Sequence, residues 1–63
     1  MKYIVSVLDY FSNTVDIFSV NIPKEENMDE WVMGYIENRG HSIEDCHYMC
    51  SKPNNFKMTM KII

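Results

Sequence analysis

Length, composition and charge exclude several classes of protein. The chain has 63 residues, of which 46% are hydrophobic and 24% charged, proportions typical of one globular domain and not of a disordered segment. Its formal net charge of −3 argues against a general nucleic-acid binder, because such proteins gain most of their affinity from cationic contacts with phosphate. No apolar run approaches the roughly 20 residues that a membrane-spanning helix needs.

The N-terminal residues predict a first strand, not a secretory signal peptide. They contain a single lysine, and their short apolar run is interrupted by Ser6 and Asp9, whereas a signal peptide has a longer uninterrupted apolar region. Without such a signal we expect a cytoplasmic protein. Cys46 and Cys50 should then be reduced thiols.

Two segments of alternating polarity, 3–11 and 14–22, predict a β-hairpin. The residues between them, Ser12 and Asn13, suit a two-residue loop. That loop sets a register in which the apolar side chains share one face. The expected pairs in this register are Val7 with Phe18, Val5 with Val20, Tyr3 with Ile22, and Asp9 with Asp16.

The other face of this hairpin is unusually apolar. It carries Ile4, Leu8, Tyr10, Val15 and Ile17. An antiparallel sheet with one face in water should be more polar there, and contiguous exposed apolar patches mark interaction sites. Small domains often depend on association for stability. We therefore predict that these five residues form an interface in a homodimer or with another protein partner, unless the C-terminal segment folds over them.

A helix is predicted over residues 28–39, after Pro23 has ended the second strand. Asn27 followed by Glu30 resembles a capping box at its start, and Gly40 suits a left-handed C-terminal cap. Its apolar stripe consists of Met28, Trp31, Val32, Tyr35 and Ile36.

The last third of the chain predicts a second hairpin. Residues 46–50 and 56–62 alternate in polarity on either side of the turn-like segment 51–55. A competing interpretation makes 43–50 a short helix capped by Ser42. The predicted fold is therefore a single α+β domain over residues 1–63, with element order β-β-α-β-β and one helix packed on one face of a small, mostly antiparallel sheet.

Four potential metal ligands lie close together in the sequence: His41, Cys46, His47 and Cys50. Structural zinc sites favour close ligand pairs such as C-x2-C, but the cysteines here are four residues apart. On a strand that spacing separates them by about 13 Å, too far to share one ion. We expect buried core thiols and keep a zinc-binding protein as the alternative function.

The acidic pair Asp9 and Asp16 could form a cation site or an acid–base pair, since carboxylates held close together shift each other's pKa. A solvated hairpin end, where their repulsion is weak, is the preferred interpretation. A cysteine nucleophile would need an oriented histidine, and adjacent Cys46 and His47 point to opposite faces of a strand. We predict no catalytic residue.

Charge is distributed unevenly along the chain. Residues 1–50 carry three basic and nine acidic residues, whereas residues 51–63 carry Lys52, Lys57 and Lys61 and no acid. Lys57 and Lys61 suit the protection of an edge strand. Weak nucleic-acid binding through all three lysines is a third functional hypothesis.

The leading functional prediction is a non-enzymatic interaction module that self-associates through the apolar sheet face. No phosphate-binding glycine loop, nucleophile elbow or dinucleotide fingerprint occurs in the chain. We accordingly expect no cofactor.

Overall fold

The computed structural model describes all residues from 1 to 63 and contains three strands and one α-helix. The elements are β1 (Lys2–Asp9), β2 (Thr14–Asn21), α1 (Met28–Asn38) and β3 (Cys46–Ser51), with 3₁₀ turns at Ile43–Asp45 and Pro53–Asn55. The strands form one antiparallel sheet in the order β2-β1-β3. The predicted α+β class, with one helix against an antiparallel sheet, is confirmed.

The N-terminal hairpin forms with a longer loop than the two residues predicted. The loop runs from Tyr10 to Asn13, so Val5 pairs with Phe18 and Tyr3 with Val20. The Asp9 carboxylate accepts the backbone N–H groups of residues 11 and 12, each at 3.0 Å, and residue 13 adopts a positive φ of 59°. These features stabilise the longer turn. The predicted register is therefore wrong by two residues, but an even shift leaves every side chain on its predicted face.

The hydrophobic core lies between α1 and one face of the sheet. Its buried members are Val5, Val7, Val20, Ile22, Val32, Ile36 and Cys46. Val5 and Val7 are completely buried because they lie on the central strand, beneath the helix. They meet Val32 and Ile36, which lie four residues apart on the predicted apolar stripe of the helix.

Both ends of α1 are capped by local hydrogen bonds. At its start the Asn27 side chain accepts the Glu30 N–H at 3.1 Å, as predicted. At its end Gly40 has a φ of 97°, and its N–H donates to the Glu37 carbonyl at 3.0 Å. The His41 N–H donates to the Ile36 carbonyl at 3.3 Å, which completes a Schellman cap. The helix has neither the length nor the apolar content needed to cross a bilayer.

The segment following the helix partly matches both interpretations of residues 43–50. Ile43–Asp45 forms a single 3₁₀ turn, and Cys46–Ser51 forms the strand. β3 pairs along β1, with Val7 opposite Tyr48.

The predicted fourth strand over 56–62 is not formed. Residues 52–55 fold into a turn in which the Asn55 N–H donates to the Lys52 carbonyl at 2.9 Å, and this turn packs beside β1. The chain therefore does not reverse alongside β3. Residues 57–63 make no backbone hydrogen bond with the rest of the chain.

Candidate functional site

The sheet face opposite the helix, called the second face below, is formed by alternate residues of the three strands. Pairing across the sheet places these residues in three rows. The rows are Val15–Leu8–His47, Ile17–Ser6–Met49 and Ser19–Ile4–Ser51. The second face therefore combines apolar side chains predicted from the hairpin with Met49, which β3 contributes.

Four of the five residues predicted for the interface are exposed. Tyr10 and Val15 are each 62% exposed, and Leu8 and Ile17 are exposed to a smaller extent, whereas Ile4 is half-buried. The alternative in which the C-terminal segment folds over this face is wrong: the face residues are open to solvent, and the last residues of the chain are themselves exposed.

A shallow groove of about 310 Å³ lies on the second face beside β3, lined by Ser6, Leu8, His47, Tyr48 and Met49. The Ser6 hydroxyl oxygen is buried beneath its neighbours and has no hydrogen-bond partner. At one end of this face the Tyr10 hydroxyl lies 3.1 Å from Nδ1 of His47, and the two rings meet edge to face.

A network of four charged side chains joins the end of the helix to the hairpin on the core side of the sheet. Arg39 donates two hydrogen bonds of 2.8 Å to the carboxylate of Asp16. His41 bridges two carboxylates, with Nδ1 at 2.6 Å from Asp9 and Nε2 at 2.8 Å from Asp16. An ionised carboxylate oxygen can only accept a hydrogen bond, and each of the two ring nitrogens of His41 faces one. This arrangement favours the imidazolium form, in which both nitrogens carry a proton.

The charges in this network stabilise one another's ionised forms. Hydrogen bonds from the Ser12 backbone and from His41 lower the pKa of Asp9 to about 2. The Arg39 guanidinium is the main reason that the pKa of Asp16 is lowered to about 2. Hydrogen bonds to Asp16 and then to Asp9 raise the pKa of His41. Neither ring nitrogen is left free to accept a proton from a substrate, so the arrangement suits a structural role better than general-base catalysis.

Sequence reasoning identified the two carboxylates but missed their partners. In the structure Asp9 pairs with Thr14 and not with Asp16, and the two carboxylates are linked through His41. The sequence feature that could have identified these partners is the tripeptide Arg39-Gly40-His41. In it, two potential cations flank the glycine of the C-terminal helix cap. Since the cap fixes both neighbours of Gly40, both side chains project from one short segment.

Aromatic stacking extends the network along the helix. The Arg39 guanidinium lies 4.4 Å from the centre of the Phe18 ring. Phe18 stacks on Tyr35 at 5.3 Å, and Tyr35 stacks on Trp31 at 5.2 Å. These contacts pack one side of α1 against Phe18 of β2.

The four potential metal ligands are distributed over separate environments. Cys46 and Cys50 lie on the core side of β3, His47 on the second face, and His41 in the charged network. No group of three or more His, Cys, Asp or Glu side chains has an arrangement that could hold a metal ion. Both cysteines are free thiols, and burial is the main cause that raises the pKa of each.

The three C-terminal lysines lie outside the α-helix and the strands. Lys52 precedes the turn at Pro53–Asn55, and Lys57 and Lys61 lie in the segment without secondary structure. All three are exposed.

No family model, curated protein or solved structure matches this chain.

Proposed function

We propose that the chain is a non-enzymatic interaction module that self-associates through the second face of its sheet. One observation carries the proposal: the apolar side chains of Leu8, Val15, Ile17 and Met49 are exposed side by side on the second face. Contiguous exposed apolar surface of this kind marks association sites more often than isolated apolar residues do.

The charge distribution favours a second copy as the partner. The chain has a net charge of −3, so two copies repel one another wherever their acidic surfaces meet. The three rows of the second face contain no acidic, lysine or arginine side chain. An uncharged apolar patch can meet its own copy without this repulsion, and isologous pairs are the commonest outcome for such a patch.

The small core gives association a stabilising role. Only 8 of 63 residues are buried. A domain with so small a core is stabilised by any partner that binds its folded state and not its unfolded state. Three strands about 4.8 Å apart, paired over six residues of about 3.4 Å each, offer roughly 300 Å² of flat surface per copy. This is below the roughly 800 Å² per partner of a typical stable interface, so we expect a weak dimer that forms as concentration rises.

The proposed setting is the cytoplasm, with Cys46 and Cys50 reduced. The two residues share one face of β3 four positions apart, about 13 Å along the strand, which is too far for an intrachain disulfide. Burial raises the pKa of both thiols and so disfavours the reactive thiolate.

Light scattering behind a sizing column, over a range of loading concentrations, tests the proposal. Ile17→Lys places a charge in the middle row of the second face and should shift the mass from dimer to monomer. Phe11→Lys is the matched control, because Phe11 is 86% exposed in the hairpin loop and lies outside the second face. Its mass should equal that of the unmodified chain.

Circular dichroism of each variant checks that the fold is retained. A monomer at every concentration for the unmodified chain would contradict the proposal. So would a dimer that Ile17→Lys leaves intact.

A further inference from the structure

The last eight residues of the chain have the pattern of a strand but no strand to pair with. Phe56, Met58, Met60 and Ile62 alternate with Lys57, Thr59 and Lys61. Met60 and Ile62 are 88% and 92% exposed, and no backbone hydrogen bond joins residues 57–63 to the rest of the chain. This segment, called the tail below, therefore presents apolar side chains and unpaired backbone groups together.

The sheet offers the tail an open edge at β3. β3 pairs only with β1, so its outer backbone groups have no partner in the sheet. Proteins usually protect such edges with lysine, proline or a bulge. β3, with the sequence CHYMCS, contains no lysine, arginine, aspartate, glutamate or proline. The other edge strand, β2, carries Asp16 in its ion pair with Arg39.

Charge also favours the β3 edge for the tail. Glu44 and Asp45 directly precede β3. Burial is the main cause that raises the pKa values of Tyr48 and Cys50, and the carboxylate of Asp29 on α1 adds to it, which places a third acid near β3. The tail contributes Lys57 and Lys61 and no acid. Lysine side chains on the added strand would face acidic surroundings and protect the new edge.

The turn at Lys52–Asn55 lies beside β1, whereas the open edge of β3 faces away from β1. That turn is closed by the hydrogen bond from Asn55 to Lys52 and packs beside β1, on the inner side of β3. A tail that paired with its own β3 would have to open this turn. A tail that pairs with another copy keeps it.

We propose that the tail of one copy adds as a fourth strand to the β3 edge of a second copy, in a reciprocal exchange. The inference rests on the proposed self-association and supplies contacts that the small second face lacks. The tail and β3 are similar in length, eight residues against six. Main-chain hydrogen bonds of this kind provide affinity in strand-addition complexes.

Hydrogen–deuterium exchange of the backbone amides, measured by NMR, tests whether the tails are exchanged between copies. Both native cysteines are kept in the protein used. The unmodified chain and a chain ending at Asn55 are compared at a concentration where the mass is dimeric and at one where it is monomeric. We expect the β3 amides that point away from β1 to exchange at least tenfold more slowly in the dimer, and the shortened chain to lose this difference.

Three results would overturn the inference. A dimer whose outer β3 amides remain unprotected would leave self-association intact and remove only the tail exchange. Equal protection at both concentrations would show that each tail pairs within its own chain. A chain that is monomeric throughout would overturn the exchange together with the proposed function.

If the shortened chain does not fold, a double lysine substitution in the tail, Met58→Lys with Met60→Lys, replaces it. Both side chains are exposed, so the substitution leaves the core intact. It should abolish the concentration-dependent protection of β3, and retained protection would overturn the inference.

Discussion

His41 is bound on both sides, with Asp16 only 2.8 Å from its Nε2 and Asp9 at 2.6 Å from its Nδ1. The two carboxylates belong to different strands, and the histidine follows the cap of the helix. The imidazolium therefore ties three parts of the fold together, and its charge state should control part of the stability.

Stability should fall as pH rises through the raised pKa of His41. The folded-state pKa of His41 is raised above its ordinary value of 6.5, so its contribution is fully present below about pH 6.5 and is lost as pH passes the folded value. Urea unfolding between pH 6 and 8 measures this change and stays below the ordinary thiol pKa of about 8.5. The variant His41→Gln should lack this slope, and a parallel slope in that variant would contradict the assignment.

Stability should also fall in acid. The pKa values of Asp9 and Asp16 are lowered from 3.8 to about 2, so their contribution is present above about pH 4 and is lost as pH falls towards 2. Asp16→Asn should lower the free energy of unfolding by about 1–2 kcal/mol at neutral pH, because charged hydrogen bonds to Arg39 and His41 are lost. Glu37→Gln, an exposed acid outside the network, should change it by less than about 0.5 kcal/mol.

The two glycines should respond in opposite directions to alanine. Gly40 has a φ of 97°, where a side chain is strained even though space is open around it, so Gly40→Ala should destabilise by about 1 kcal/mol. Gly34 lies inside the helix with no atom near an added Cβ. Gly34→Ala should stabilise by up to about 1 kcal/mol through helix propensity. Thermal melts followed by circular dichroism compare the two, and a stabilising Gly40→Ala would contradict the capping role.

Removing the unpaired hydroxyl of Ser6 should not weaken the fold. Its oxygen is buried without a partner, and an unsatisfied buried polar group costs about 1–3 kcal/mol. We expect Ser6→Ala to raise the free energy of unfolding by about 0.5–1 kcal/mol, allowing for the methyl-sized space left behind. Ser19→Ala, an exposed serine on the same face, is the control and should be neutral. A marked loss of stability in Ser6→Ala would show that the hydroxyl has a partner.

The sequence predicted those features that depend on local periodicity. The stripe that includes Val32 and Ile36 identified the helix, and strand alternation assigned side chains to the correct faces even with a wrong loop length. The loop was missed because it depends on the Asp9 side chain binding the backbone of residues 11 and 12. The fourth strand was predicted wrongly, because alternating polarity shows that a segment can form a strand and not that a partner strand is available.

The charged network was beyond sequence reasoning for a related reason. Asp16 and Arg39 are 23 residues apart, and His41 is 32 residues from Asp9. Only the packing of the helix end against the hairpin determines that they meet. The sequence predicted a solvated hairpin end where solvent weakens the repulsion between the two carboxylates. That prediction is wrong for Asp9, which is buried, and a cation from a distant part of the chain offsets the repulsion.

Because β1 is the central strand, substitutions at neighbouring positions along it affect either the core or the open face of the sheet. Val5 and Val7 are fully buried under the helix, whereas their neighbour Leu8 is exposed on the second face. Changes at the buried positions alter the core, while changes at the exposed positions leave that core in place. During evolution, the side chains on the open side of the sheet can therefore change among descendants of this chain while the fold persists.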